Sequence, residues 1–330
     1  MKITKLHGAG GTVMQQLIKD LILNNIELKS AGSLSLDDLD DSSTIKIFDN
    51  EIALTTDSYT VNPIFFKGGD IGRLAVSGTV NDLAVVGAKP LALTLSFILP
   101  EGFEYEKLER IVKSINETSK EAEVPIITGD TKVSDSVNDI VINTSGVGIV
   151  KKLLKDSNVK EGDAIIISGN IAEHGLAILL EREGFEFETN IKSDVSPLNK
   201  MIEEILDLDI HAMKDPTRGG VANALNELAE KSNIGIVIEE DKLPISEEVK
   251  GLCEILGLDP LTIANEGKVI IAVNRDDAEE CLRRLRKTKY GKNAEIVGYA
   301  TKEHKGVLLD TGIGKRIIDS PIGDPIPRVC

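Results

Sequence analysis

Four aspartates stand in contexts rich in small residues: Asp57 in Thr-Thr-Asp-Ser, Asp82 in Val-Asn-Asp-Leu-Ala, Asp130 in Thr-Gly-Asp-Thr-Lys and Asp215 in Lys-Asp-Pro-Thr-Arg-Gly-Gly. Carboxylates of this kind suit Mg²⁺, a hard ion that takes oxygen ligands, keeps part of its water shell and is usually completed by phosphate oxygens. With 38 Lys and Arg against 54 Asp and Glu, net charge −16, the chain needs such an ion to hold a phosphate ligand. Any one of these aspartates alone serves equally well as a turn or helix cap. Asp57 and Asp82 are harder to reduce to caps. Asp57 follows a strand, and Asp82 lies inside a helical pattern whose buried side is otherwise apolar.

Lys132, two residues after Asp130, and Glu266 in Asn-Glu-Gly are candidates for proton transfer. A lysine there could equally neutralise a phosphate, and Glu266 could cap a strand. The segment His7-Gly8-Ala9-Gly10-Gly11 precedes a helix and can lay backbone amides against a phosphate. It lacks the Lys-Ser/Thr that follows the glycines of a P-loop and does not match the dinucleotide fingerprint. Lys67-Gly68-Gly69-Asp70 and Gly219-Gly220 read either as phosphate-approach turns or as plain turns. His7, His174, His211 and His304 do not cluster at metal-ligand spacing and read as satisfied or solvated residues.

Of the three cysteines, Cys253 and Cys281 fall on apolar faces of helical patterns and read as inert core residues. Cys330 is the last residue, after Pro327-Arg328-Val329. Its own carboxylate beside the sulfur raises the thiol pKa unless a cation offsets it, with Arg328 the nearest candidate in sequence.

The elements that must position these groups alternate between strand and helix. Helical spacing covers residues 13–25, 70–87 and 104–122; strands are expected at 51–61, 91–99, 125–128 and 139–150. Both faces of 91–99 are largely apolar, which predicts a strand covered on both sides. The charged stretch Lys151-Lys152-Leu153-Leu154-Lys155-Asp156 marks a boundary between a domain over 1–151 and a second over 152–312. The second repeats the alternation, with strands at 164–168, 234–239, 268–274, 294–300 and 306–310 and helices at 174–183, 197–206, 219–231, 246–256 and 276–288. The fold class is therefore α/β or α+β with two domains. Residues 313–330 hold Pro321, Pro325 and Pro327 and predict an extended, mobile tail. In a polyproline-like conformation it could reach about 50 Å.

Composition narrows the function classes. At 330 residues, 41% hydrophobic and 28% charged, the chain reads as a soluble globular protein. The acidic balance excludes nucleic acid and anionic membrane surfaces as partners, and 3% aromatics with no Trp excludes a base-stacking platform. No apolar run approaches the length of a membrane span, and no signal peptide opens the chain. Three scattered cysteines exclude a disulfide framework and point to a reducing cytoplasm.

Taken together, these segments resemble the ATP-binding superfamily of aminoimidazole ribonucleotide synthetase and selenophosphate synthetase, and within it the HypE family of hydrogenase maturation proteins. The resemblance runs the length of the chain, from His7-Gly8-Ala9-Gly10-Gly11 through Thr56-Asp57-Ser58, Gly68-Gly69-Asp70-Ile71-Gly72, Asn81-Asp82-Leu83-Ala84 and Gly87-Ala88-Lys89-Pro90. It continues through Gly129-Asp130-Thr131-Lys132-Val133, Asp215-Pro216-Thr217-Arg218-Gly219-Gly220 and Asn265-Glu266-Gly267. The internal motifs reach only the superfamily. The terminal Pro327-Arg328-Val329-Cys330 singles out HypE, where the equivalent ending is typically Pro-Arg-Ile-Cys, so that Val for Ile is the one departure.

That resemblance implies an N-terminal domain that supplies four strands to an eight-stranded barrel across a homodimer, and a C-terminal α/β layer packed on it. ATP and Mg²⁺ would sit between the domains. Carried over by motif, Asp57, Asp82 and Asp215 would hold the metal and the phosphates, with Asp70, Asn81, Asp130 and Thr131 lining the same site. A carbamoyltransferase, HypF, would load Cys330 with a carbamoyl group. ATP-dependent dehydration of this S-carboxamide would leave a thiocyanate, with Lys132 and Glu266 as base or relay. The cyanide would pass through a HypC–HypD scaffold complex to the iron of a [NiFe] hydrogenase. A selenophosphate synthetase would carry a cysteine or selenocysteine in the first glycine loop, which has none, and a purine-pathway enzyme has no use for a terminal thiol. A non-catalytic carrier of Cys330 is the alternative from another class, and the retained acidic motifs argue against it.

Overall fold

The computed structural model describes residues 2–184, 189–326 and 328–330. Pro327, one of the three tail prolines, lies outside them. Two sheets divide the chain. The first takes β1 (Ser43–Ile47), β2 (Asn50–Tyr59), β5 (Ala88–Pro100), β6 (Ile126–Ser134) and β7 (Val141–Val150), in the order β1-β2-β7-β5-β6. β5 and β6 run parallel and the other neighbours antiparallel. A small hairpin, β3 (Phe65–Phe66) with β4 (Gly69–Asp70), leads into α2 (Ile71–Val85). The N-terminal helix α1 (Gly11–Leu17) continues into a π turn over Ile18–Leu23, so the helical stretch begins two residues before the 13–25 its periodicity predicts.

Why α2 lies where it does is legible in its side chains. It is buried almost throughout and made of small residues, so it seats closely on β2 and β7. At Gly78 a Cβ would run into the Tyr59 hydroxyl. Helix α3 (Tyr105–Ala122) packs alongside it through Ile111 and Ile115, and together they cover one face of the sheet.

The opposite face is open. Residues 91–99 do form a strand, within β5, but only one side of it is covered: Leu93 and Leu99 are buried, whereas Leu91 and Ile98 are 46% and 37% exposed. Leu54 of β2 is 37% exposed as well. The apolar character of both sides is real, but the second side finds no partner within one chain. For the same reason no barrel closes among the described residues of a single copy, and the sheet they form has five strands rather than the four expected, because the short β1 adds to its edge.

The second sheet has the order β14-β13-β10-β12-β8-β11-β9. Its strands are β8 (Ala164–Ile167), β9 (Ile210–Lys214), β10 (Gly235–Glu239), β11 (Ile270–Val273), β12 (Glu295–Thr301), β13 (Gly306–Asp310) and β14 (Lys315–Ile318). Helices α4 (Glu173–Glu183), α5 (Asn199–Glu203), α6 (Gly220–Ser232), α7 (Glu247–Leu256) and α8 (Ala278–Leu285) intervene. Leu225 and Leu228 of α6 pack on one face and Met201, Leu282 and Leu285 of α5 and α8 on the other, so this sheet is covered on both sides. Ala84 and Val85 at the end of α2 join the second of these cores and lock the two halves together.

The tail departs from expectation twice. It does not begin at 313, because Lys315–Ile318 pairs antiparallel with β13 across a tight turn in which Thr311 N–H reaches Gly314 O. Nor does the stretch beyond β14 hang free. Pro321 O accepts from Thr12 N–H, Asp324 N–H donates to Ala9 O, and Ile326 and Val329 are each 2% exposed. The prolines do forbid helix and central strand, but apolar side chains and backbone hydrogen bonds fasten the segment along the cleft between the two halves.

Candidate active site

A cavity of about 200 Å³ opens where β2, α2, the loop after β9, the loop before β11 and the end of the tail meet. Alternation along β2 turns Thr55, Asp57 and Tyr59 toward α2, which presents Gly78 and Asp82. Asp215, Thr217 and Arg218 come from the loop between β9 and α6, Glu266 from the loop before β11, Asp41 from the segment before β1, and Cys330 closes the ring. Three of the predicted aspartates, Glu266 and the terminal thiol therefore share one cavity.

The lining is held by its own hydrogen bonds. Thr55 Oγ1 donates to Asp82 Oδ2 at 2.8 Å, and the Tyr59 hydroxyl donates to Asp57 Oδ2 at 3.1 Å. Two carboxylate oxygens, Asp41 Oδ2 and Glu266 Oε1, are buried with no partner. Burial, then Asp57, Asp215 and Asp41, push Asp82 well above the usual carboxylate range. Asp215 is pushed up to about 6, by burial first and Asp57 next, against the pull of Lys214. Glu266 is raised well above the ordinary range by burial, Asp215 and Asp194. Like charges crowded out of water in this way call for a cation.

Among the described residues, no three His, Cys, Asp or Glu side chains converge at metal-ligand distance. The carboxylates line a shared wall rather than form a closed cage. Mg²⁺ fits such a wall, since it is commonly held through one or two carboxylates, waters and phosphate oxygens. The two orphaned oxygens fit it as well.

Behind the cavity, Lys214 Nζ sits 2.8 Å from Asp41, 3.0 Å from Asp156 and 3.1 Å from Glu227. Lys231 of α6 bridges Asp156 and Asp40 at 2.8 Å. This network ties the segment before β1 to β9 and α6. Sequence reasoning misses Asp41 and the network; the doublet Asp40-Asp41 is the available signal, masked by further acids at 37 and 38.

The cation beside Cys330 is Arg218, not Arg328. Arg328 Nη2 is 2.8 Å from Asp139 Oδ2, turned to the surface. Burial raises the Cys330 thiol well above its ordinary value, Arg218 opposes this, and Glu266 adds to it. Cys253 and Cys281 are buried in helices with thiols pushed up by burial to about 11 and about 12, as inert core residues should be.

The other predicted residues fall elsewhere. Asp70 is the N-cap of α2, accepting from Arg73 N–H. Asn81 points away from Asp82: its amide donates to Ser196 O, and its Oδ1 accepts from Leu198 N–H, which holds a second-domain loop against α2. Asp130, Thr131 and Lys132 are inside β6, an edge strand, not in a turn. Asp130 and Lys132 pair with each other at 3.1 Å, exposed on the open face and three strands from Asp57. Within one chain they take no part in the cleft.

A larger depression of about 920 Å³ lies away from this chemistry, between the end of α3 and α8. Its charges largely neutralise one another, with Lys289 on Glu121 and Arg283 and Arg284 on Glu280. None of the sequence candidates lines it.

Two family models divide the chain where its sheets do: AIR synthase related protein, N-terminal domain, over residues 39–150, and AIR synthase related protein, C-terminal domain, over 160–310. A hydrogenase expression/formation protein of Methanocaldococcus jannaschii is 71% identical over the whole of both chains. Carbamoyl dehydratase HypE of Azotobacter vinelandii is 40% identical over 99% of this chain and 97% of its own. The chain belongs to the HypE family. Among solved HypE structures, a HypE–HypF complex superposes with a TM-score of 0.87 at 47% identity, over 92% of this chain and 99% of that one. HypE in complex with ATP superposes with a TM-score of 0.82 at 38% identity over the full length of both. Thiamine monophosphate kinase of Aquifex aeolicus, at 20% identity and TM-score 0.66, shares the fold alone.

Proposed function

We propose that the chain is an ATP-dependent carbamoyl dehydratase of [NiFe] hydrogenase maturation, converting an S-carboxamide on Cys330 to a thiocyanate. The observation that carries this reading is the seat of Cys330: the chain's last residue stands in the same cavity as Asp57, Asp82, Asp215 and Glu266. A HypE structure with bound ATP and a HypE–HypF complex, both of relatives, support ATP as the co-substrate and HypF as the partner that loads Cys330.

The residues fit the reaction in order. Asp57, Asp82 and Asp215 would hold Mg²⁺, which supplies charge neutralisation along the polyphosphate. Room for about 200 Å³ suits the phosphate end of a nucleotide facing the tail rather than a whole nucleotide. The carboxamide oxygen of the loaded Cys330 attacks the γ-phosphorus and ADP leaves. In its ionised form Glu266, whose buried carboxyl is raised well above the ordinary carboxylate range and so holds a proton firmly once it has one, takes a proton from the amide nitrogen. The second nitrogen proton leaves with the departing phosphate, as hydrogen phosphate, when the C–O bond breaks, and the C≡N group stays on sulfur. Arg218 is the cation on this wall, placed to oppose the charge on the transferred phosphoryl group.

The open sheet face supports a homodimer in which a second copy covers Leu54, Leu91 and Ile98 and closes a barrel. Lys132 lies on that face, so it would serve a cleft only across the subunit contact.

Intact mass after incubation with the carbamoyl donor system and ATP tests the reading. A carbamoyl addition followed by loss of one water is expected, both absent in Cys330→Ala. A nitrile-bearing mass on Cys330→Ala would overturn the carrier assignment.

A further inference from the structure

The way the tail is fastened assigns a role to residues the reaction itself does not touch. His174, at the start of α4, is fully buried, with Phe66 edge-on at 5.5 Å between ring centroids. Its Nε2 is 2.8 Å from Val329 O and its Nδ1 2.7 Å from Ser193 Oγ. A carbonyl only accepts, so Nε2 carries the hydrogen. Ser193 Oγ accepts from Val195 N–H and returns its own hydrogen to Nδ1, which fixes that tautomer.

At the far end of the same helix, Arg182 Nη2 donates to Arg328 O at 3.0 Å, and Asn62 N–H donates to the same oxygen at 3.2 Å. Arg182 also grips Asn62 O through Nε and Nη2, at 2.8 and 2.6 Å, so both donors to Arg328 O form one rigid unit. Arg328 adopts φ +59°, a left-handed turn uncommon for a residue with a Cβ. That turn presents carbonyls 328 and 329 to separate donors and puts Val329 into the core.

We infer that His174 and Arg182 are positioning residues, a clamp that grips the tail by its last two internal carbonyls and so sets where Cys330 stands in the cleft. The inference rests on the reading of Cys330 as carrier. The clamp holds main chain, so it measures distance to the chain end: one residue beyond the grip is the thiol. It touches neither nucleotide nor carboxamide, and it leaves the thiol itself to the cleft.

Alkylation of the full-length chain by limiting iodoacetamide, without nucleotide or carbamoyl donor, tests the clamp, with the modified cysteine located by peptide mass mapping. Cys330 should react slowly in the wild type and about tenfold or more faster in His174→Ala and in Arg182→Ala, the effect of losing a hydrogen bond to a largely buried group. His174→Gln, which keeps a donor near the Nε2 position, should restore most of the protection; a merely structural histidine would gain nothing from it. Arg182→Ala removes a surface guanidinium and carries the measurement should His174→Ala not fold. Rates within about twofold of wild type in the folded variants would overturn the clamp. If the rates shift as stated but no dehydrated mass is ever seen with ATP, the clamp stands and the proposed reaction falls.

Discussion

Lys214 and Asp41 form an ion pair of 2.8 Å on which two halves of the cleft depend, because Lys214 directly precedes Asp215 and Asp41 lines the cavity wall. Lys214 is 6% exposed and shares its charge with Asp156 at 3.0 Å. Replacing it with Met leaves several buried carboxylates uncompensated. Lys214→Met should cost about 3–5 kcal/mol in urea unfolding. The folded fraction should also bind magnesium-nucleotide more weakly, read by calorimetry.

Asp82 should show a trade between stability and function. Its charge is held among Asp57, Asp215 and Asp41, away from water. Asp82→Asn should therefore raise the melting temperature of the ligand-free chain by about 2 °C while nearly abolishing phosphate release. Calorimetry on the same variant should show reduced nucleotide affinity; unchanged affinity here and in Asp57→Asn would remove both from the metal site.

One part of the pH response comes from Asp215, raised from 3.8 to about 6 in the folded chain. A raised carboxyl is protonated below about pH 6, where the proton competes with Mg²⁺. Affinity for magnesium-nucleotide should climb as pH rises through about 6, and Asp82, also raised, should add to the climb as it loses its proton. Titrations in buffers of different ionisation enthalpy should detect protons released on binding near pH 6. The ligand-free chain runs the other way: the folded state binds more protons than the unfolded between 3.8 and about 6, so this contribution to stability is lost as pH rises through that window.

Assembly is tested at Ile98, which is 37% exposed in the middle of the open face. Sedimentation of the wild type at micromolar concentration should give about twice 35.6 kDa, and Ile98→Glu should shift it to the single-chain mass. A wild type that sediments only as a single chain would contradict the dimer.

The sequence discloses most of the elements, since the 3.6-residue pattern over α3 and the apolar runs in α2 and β5 leave little choice. It also marks Asp57, Asp82, Asp215, Glu266 and Cys330, because each stands out against its neighbours. Direction is what it lacks. A strand exposes its residues to two faces, and nothing local says that Asp57 turns toward α2 while Asp130 and Lys132 turn to the other side, three strands away. The same holds for charge partners: Arg328 is two residues from Cys330 in sequence but pairs with Asp139, while Arg218 arrives from the distant loop between β9 and α6. His174 reads as a satisfied histidine, which it is, but its partner is the tail, and that contact spans 155 residues.

The docked tail also governs traffic. Leaving the cleft uncovers Ile326 and Val329, at about 1.5–3 kcal/mol for each side chain. A released tail is then a small minority of molecules at any instant, and under the proposed function a partner protein would have to trap it rather than find it waving in solvent. Such a partner would need a groove that replaces both apolar seats. Because one thiol cannot be in two grooves at once, loading and dehydration in the proposed reaction would alternate by exclusion, with no separate switch required to keep them in order.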